Sequence, residues 1–165
     1  MIKTLRDYTF GGKGVAMDLQ PQWIVGFVDG EGCFYVGIFK RKDMTVGCQV
    51  QSEFTVVQHE KNIQILYALK KFFGCGKVCP NHGSRKCFKV RKKEDLLTKI
   101  LPFFERHSLK TTKNIDFLKF RDVLLLQAKN EDLTLEGIAK IQKIKNTMNT
   151  KAEQLSEPKI ESSST

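Results

Sequence analysis

Hydrophobic spacing changes period several times along the chain. Trp23, Ile24, Phe27 and Val28 fall at i, i+1, i+4 and i+5, the stripe of a short helix. Pro21, just ahead of them, suits a first helical turn. Gly26 and Gly30 lie four apart on that helix. Glycine inside a helix costs about 1 kcal/mol relative to alanine, so a pair one turn apart predicts another backbone packed close. From Phe34 to Lys40 the sequence is β-rich, and Arg41-Lys42-Asp43 is a turn. Residues 46–57 then alternate. Val50, Ser52, Phe54 and Val56 share one face, while Gln49, Gln51, Glu53 and Thr55 share the other. Alternation of this kind predicts a strand with one packed and one wet face. The wet face here is a row of hydrogen-bonding side chains.

Helical spacing returns over 61–73, with Ile63, Leu66, Leu69 and Phe73 in a stripe and Gly74 as the stop. Two short strands are expected around Lys77–Cys79 and Arg85–Val90, joined by the turn Pro80-Asn81-His82-Gly83-Ser84. Glu94 and Asp95 open a helix expected to reach Phe104, their charges suiting its first turn. Further helices are expected near 112–128 and from about Asp132 to Asn149. The order is helix, two strands, helix, two strands, then helices. An α+β fold satisfies it: one four-stranded antiparallel sheet with helices on one face and the other face open. Residues 1–20, which include Gly11, Gly12 and Gly14, read as an N-terminal arm. Residues 21–150 read as a single domain and residues 151–165 as a disordered tail.

The length of 165 residues suits one domain with a real core, and 41% hydrophobic residues make a packed fold affordable. The longest strongly apolar stretch, Trp23 to Val28, is far short of the roughly 20 residues of a membrane helix, so no membrane partner is expected. The first residues, MIKTLRDYTFGGKG, lack the apolar run of a secretory signal. Five cysteines, an odd number, are then expected as reduced thiols in an intracellular compartment.

Charge changes the picture more. The formal net charge is +10. Residues 61–110 alone hold thirteen Lys and Arg against three Asp and Glu, so the whole excess sits in one stretch. A concentrated basic surface points to a polyanion, most simply nucleic acid.

The most informative stretch is Ile24-Val25-Gly26-Phe27-Val28-Asp29-Gly30-Glu31-Gly32. It resembles the motif that names the LAGLIDADG homing endonucleases. Phe54-Thr55-Val56-Val57-Gln58 looks like the end of that family's second strand, and Leu109-Lys110-Thr111-Thr112-Lys113 looks like its lysine loop. The αββαββα order is also the family's, and the resemblance spans about residues 20–128. A single copy of the motif implies the homodimeric branch. Trp23, Gly26, Phe27 and Gly30 are the expected dimer interface, since small residues let two helices cross at close range. A two-fold dimer brings both helix ends to its axis. Two Glu31 carboxylates then converge beside a DNA backbone, where a divalent cation is needed. Mg²⁺ suits a site of few carboxylates, phosphate oxygens and waters, and it activates water and stabilises a leaving oxygen. Mn²⁺ is an alternative ion, and Ca²⁺ is expected to support binding with little cutting.

The resemblance implies Glu31 as metal ligand with the Gly30 carbonyl assisting, Lys110 as the active-site lysine with Lys113 its competitor, and Gln58 as a residue that positions solvent. Asn62 departs from a basic residue found in some relatives, with Lys61 adjacent. Asp29 is expected to satisfy backbone groups at the helix end rather than to act in catalysis. The open sheet face is the expected DNA reader, because a two-stranded ribbon fits a major groove. Its candidates are Tyr35, Gly37, Phe39 and Arg41 on the first strand, and Gln49, Gln51, Glu53 and Thr55 on the second. Arg85, Lys86 and Lys89 on the second hairpin and Lys113 complete the set. A ten-residue strand spans about 33 Å at 3.3 Å per residue. A dimer then covers about twenty pseudo-palindromic base pairs.

The implied activity is that of an intron-encoded endonuclease leaving staggered ends, housed in a chloroplast or mitochondrion. The first alternative is a non-cutting binder of the same fold, a maturase acting on intron RNA. The second is a zinc-dependent nucleic-acid-binding module built on Cys75, Cys79, His82 and Cys87, four candidate ligands within thirteen residues.

Overall fold

The computed structural model describes residues 17–149. The expected tail, and the expected arm as far as residue 16, lie outside the described residues. Helix α1 (Pro21–Glu31) begins at its proline and passes directly into β1 (Gly32–Lys40). β2 (Cys48–His59) returns antiparallel, and a short 3-10 turn (Glu60–Asn62) leads into α2 (Ile63–Phe73). Gly74 ends α2 in a left-handed conformation with φ 63°, the geometry that glycine adopts without strain. β3 (Lys77–Pro80) and β4 (Arg85–Val90) form the second hairpin. The strand order is β1-β2-β4-β3, all neighbours antiparallel. The fold is therefore the expected αββαββα arrangement with one open sheet face.

Two helical regions differ from the sequence expectation. The helix expected from Glu94 to Phe104 runs over 93–106 as α3 (Lys93–Asp95), a π turn (Leu96–Ile100) and α4 (Leu101–Arg106). Pro102 sits inside it. Proline has no N–H to donate and its ring crowds the carbonyl four residues back; the wider turn just ahead of it relieves that crowding. After α5 (Lys113–Ala128), the last helix starts at Leu135 rather than Asp132. Thr134 sets the boundary of α6 (Leu135–Lys145), its hydroxyl accepting the Gly137 N–H at 3.0 Å. The preceding Glu131–Leu133 forms a 3-10 turn. A Cβ on Gly137 would lie 1.8 Å from the Glu131 carbonyl oxygen, so only glycine lets α6 dock on that turn.

The core lies between the helices and one face of the sheet. Phe34, Phe54, Phe88, Phe104, Phe117 and Phe120 are all fully buried. Phe34 is central: its ring lies 5.1 Å from Phe54, 5.5 Å from Phe104 and 5.3 Å from both Phe117 and Phe120. One polar link crosses this core. Ser52 Oγ donates to Gln127 Oε1 at 2.6 Å, and Gln127 Nε2 donates to the Val50 carbonyl at 3.3 Å. It ties β2 to α5. Past α6, the Asn149 amide donates to the Phe34 carbonyl at 2.9 Å, closing part of the β1 edge. Among the described residues no helix is long and apolar enough to cross a membrane.

Candidate active site and nucleic-acid interface

The motif helix divides its apolar residues between two directions. Ile24, Val25 and Val28 are buried in the core. Trp23 is 43% exposed and stacks on Phe27 at 4.8 Å between ring centroids. The single stripe expected from Trp23 to Val28 is thus two stripes, because only one side of α1 meets its own sheet. A Cβ on Gly26 or on Gly30 would meet nothing within 4 Å among the described residues. The backbone that these glycines were expected to meet is not supplied by the described residues. At the helix end the situation reverses. A Cβ on Gly32 would lie 2.6 Å from Val28 Cγ1 and 2.8 Å from the Val28 carbonyl oxygen, so the helix-to-strand junction is tight.

Asp29 fastens this junction to the lysine loop. The Lys110 N–H donates to Asp29 Oδ2 at 2.8 Å. The Thr111 N–H and hydroxyl both donate to Oδ1, at 3.2 and 2.7 Å. Burial raises the carboxyl's pKa. The bonds from Lys110 and Thr111, with the nearby Lys113 charge, outweigh burial and hold it below its ordinary 3.8. Lys113 donates from Nζ to the Val28 carbonyl at 3.2 Å, a cation on the negative end of a helix. The two candidate lysines are therefore in different situations: Lys113 is half-buried and engaged, whereas the exposed Lys110 ammonium has no partner among the described residues. Glu31 is also exposed, and its carboxylate has no partner among the described residues. Gln58 lies on β2 two residues past the Gly32↔Val56 pair, level with the end of α1. Its Oε1 accepts the His59 N–H at 2.8 Å. His59 Nδ1 accepts the Lys61 N–H at 3.1 Å, leaving the ring proton on Nε2, 3.0 Å from Ser84 Oγ. One end of the sheet thus gathers Glu31, Gly30, Gln58 and Lys110.

The open face carries Tyr35, Gly37 and Phe39 opposite Glu53, Gln51 and Gln49. Thr55 pairs with Lys89, and His59 with Arg85. Gly37 is buried beneath its neighbours: a Cβ there would lie 2.5 Å from the Phe39 ring and 3.1 Å from that of Tyr35. Arg41, at the hairpin tip, uses all three of its guanidinium nitrogens. It donates to both carboxylate oxygens of Asp43, at 2.9 and 2.7 Å, and to Gln49 Oε1 at 3.0 Å. The Arg41 bond pulls the Asp43 carboxyl down to about 2. Glu53 is 9% exposed, covered by Arg91 and by Lys89, whose Nζ is 3.4 Å from Oε1. Lys86 has the strand parity of Phe88 and Val90, so it leaves the open face and approaches Glu60 at 3.9 Å. Arg91, one residue past β4, is the open-face residue that sequence reading missed. Its signal was present, since Arg85, Lys89 and Arg91 share a period of two.

The zinc reading finds no support in this geometry. Among the described residues no three or more His, Cys, Asp or Glu side chains come together to hold a metal ion. Cys79 and Cys87 face each other across β3 and β4 with sulfurs 3.2 Å apart, and all five cysteines are free thiols.

The sequence pattern of the LAGLIDADG endonucleases matches residues 24–124. The chain belongs to this family. Several relatives carry the same kind of name. The Neurospora crassa protein named probable intron-encoded endonuclease 2 is 32% identical over 127 residues, which are 76% of this chain and 26% of that protein. DNA endonuclease I-CvuI of Chlorella vulgaris is 33% identical over 90 residues, 53% of this chain and 56% of that protein. The chain spans about a quarter of the length of the first curated relatives it matches. Among solved LAGLIDADG-type structures, homing endonuclease I-TnaI superposes with a TM-score of 0.78 at 54% identity, over 81% of this chain and 90% of that one. I-SmaMI bound to an uncleaved DNA target with calcium ions superposes with a TM-score of 0.79 at 37% identity, over 80% of this chain and 45% of that one.

Proposed function

We propose that this chain is a site-specific DNA endonuclease that works as a homodimer and makes a metal-dependent, staggered double-strand break. The observation that carries the reading is the Asp29 clamp. It holds the Lys110 loop against the end of α1, so that the exposed Lys110 ammonium and Glu31 carboxylate, neither partnered among the described residues, stand at one end of an open strand face. An acid and a lysine placed there can engage a phosphate, the acid through a divalent cation and the lysine directly.

Dimerisation is supported by the open glycine stripe beside Trp23 and Phe27. The residues fit Mg²⁺ as a shared ion. A protomer offers one free carboxylate and a helix-end carbonyl, too few for a closed site and enough for an ion completed by phosphate oxygens and water. Glu31 and the Gly30 carbonyl would hold it, and a bound Mg²⁺ supplies a more acidic water and a stabilised leaving oxygen. Lys110 then offsets charge developing on the phosphate. Gln58 has its Oε1 engaged by the His59 backbone, which leaves its amide N–H groups for solvent or phosphate. Asp29 positions the loop and exchanges no proton with substrate. The names of relatives support an intron-encoded origin; an organelle, chloroplast or mitochondrion, is the compartment we propose for it.

The experiment uses duplexes carrying candidate intron-insertion sequences, in Mg²⁺ and in Ca²⁺. Double-strand cutting is expected in Mg²⁺, and binding with little cutting in Ca²⁺. Glu31→Gln is expected to keep binding and lose cutting. Unchanged cutting by that variant refutes the assignment of Glu31.

A further inference from the structure

Three arginines, Arg41, Arg85 and Arg91, reach the open face near β2, and Arg41 and Arg91 are used differently. Arg41 spends Nε, Nη1 and Nη2 on Asp43 and Gln49, so it holds the hairpin tip together. Arg91 donates only its Nε, to Glu53 Oε2. Its two Nη groups have no partner among the described residues, and its side chain is half exposed.

The placement follows from the register. Phe54 pairs with Val90, so Glu53 stands directly across from Arg91 one step beyond the end of β4, and diagonally from Lys89. Past that point β2 has no strand neighbour on its β4 side among the described residues. The gap is a hollow of about 230 Å³, with Gln49, Gln51 and Arg91 on its wall. Glu53 itself is nearly covered, which removes it as a direct reader of bases. Its two oxygens are divided between Arg91 and Lys89.

An arginine held at Nε by a carboxylate keeps its planar Nη fork aimed and free. That fork matches the paired acceptors O6 and N7 on the major-groove edge of guanine. An untethered arginine must give up rotamer freedom to reach the same pose.

We propose, building on the reading of this sheet as the DNA-contacting face, that Arg91 is a specificity-determining residue that reads one guanine in each half-site and that Glu53 is its positioning residue. Gln49 and Gln51, on the same hollow, face the base pairs next to that guanine. A phosphate contact by Arg91 makes a different prediction, because it adds affinity without sequence information.

The test selects binding sites for the full chain from a pool of randomised DNA duplexes in Ca²⁺. The selected site is then doped and the profile repeated for Arg91→Ala, Arg91→Lys and Glu53→Gln, with a melt of each variant to confirm folding. A guanine position repeated in both half-sites is expected. Arg91→Ala and Arg91→Lys are expected to relax that position alone, by roughly 5- to 150-fold in preference. Glu53→Gln keeps an acceptor but loses the charge, and is expected to relax the same position by a smaller factor while other positions stay fixed. A purely structural Glu53 would weaken all positions together, and that result overturns its role. Uniform weakening by the Arg91 variants, with a shallower salt dependence, makes Arg91 a phosphate contact and overturns the assignment, as does an unchanged profile. If the wild-type chain selects no duplex at all, the DNA reading of the sheet fails first and the assignment falls with it.

Discussion

Replacing Asp29 with asparagine tests the clamp between the motif helix and the lysine loop. In the wild type three donors converge on one carboxylate: two on Oδ1 and the Lys110 N–H on Oδ2. Asparagine keeps one acceptor oxygen, so the Thr111 pair survives in weaker form. Its amide NH₂ then faces the Lys110 N–H, donor against donor. A hydrogen bond to a charged group contributes about 1.5–3 kcal/mol. Solvent at this half-exposed site brings the expected loss down to about 1–2 kcal/mol. For a chain of this size that is a fall in melting temperature of about 3–8 °C. Thermal unfolding followed by circular dichroism at neutral pH measures it. The pH dependence is a second readout. The folded carboxyl is held below its ordinary 3.8, so its stabilisation is complete above that value and disappears as pH falls through the lower folded value. The gap between wild type and Asp29→Asn is therefore expected to close on the acid side of 3.8. A variant that melts with the wild type at neutral pH refutes the clamp. A gap that persists unchanged in acid refutes its electrostatic basis.

Other expectations follow from the same geometry. A Cβ on Gly26 would meet nothing within 4 Å among the described residues, so on the proposed homodimer Gly26→Leu is expected to keep the fold yet sediment as a monomer, whereas Gly32→Ala collides with Val28 and is expected to lower stability by about 1–3 kcal/mol. Ser52→Ala leaves Gln127 Oε1 without its donor in the core and is expected to cost about 1–3 kcal/mol, read by urea unfolding. Burial, then the hydrogen bond and charge of Cys79, push the Cys87 thiol up to about 11. Iodoacetamide at pH 7.5 is therefore expected to label Cys87 last of the five cysteines, as read by peptide mass spectrometry.

Much of this architecture is legible in the sequence because period and punctuation agree. The alternation through Val50, Ser52, Phe54 and Val56 gives β2 its faces, and Pro21 and Gly74 mark the helix ends where they occur. What period cannot reveal is the partner of a residue. Trp23, Ile24, Phe27 and Val28 share one stripe on a helical wheel, but only a sheet placed against α1 decides which of them it covers. Glu53 has the parity of a surface residue, and its burial comes from Arg91, thirty-eight residues away. Lys86 looks like one more basic residue until the register turns it from the open face. Asp29 announces its helix end, but its attachment to a loop eighty-one residues later depends on the fold.

The junction between α1 and β1 has no slack. Glu31 is the last residue of the helix and Gly32 the first of the strand, with Val28 packed against the latter. Any change that shifts this end of β1 also shifts the carboxylate. The constraint fades along the ribbon, and Lys40 lies about 26 Å away at 3.3 Å per residue. Freedom to vary therefore rises toward the hairpin tip, where Arg41, Asp43 and Gln49 form a self-contained cluster. On the proposed function, new target preferences are most readily acquired there, at the end of the ribbon whose movement leaves Glu31 undisturbed.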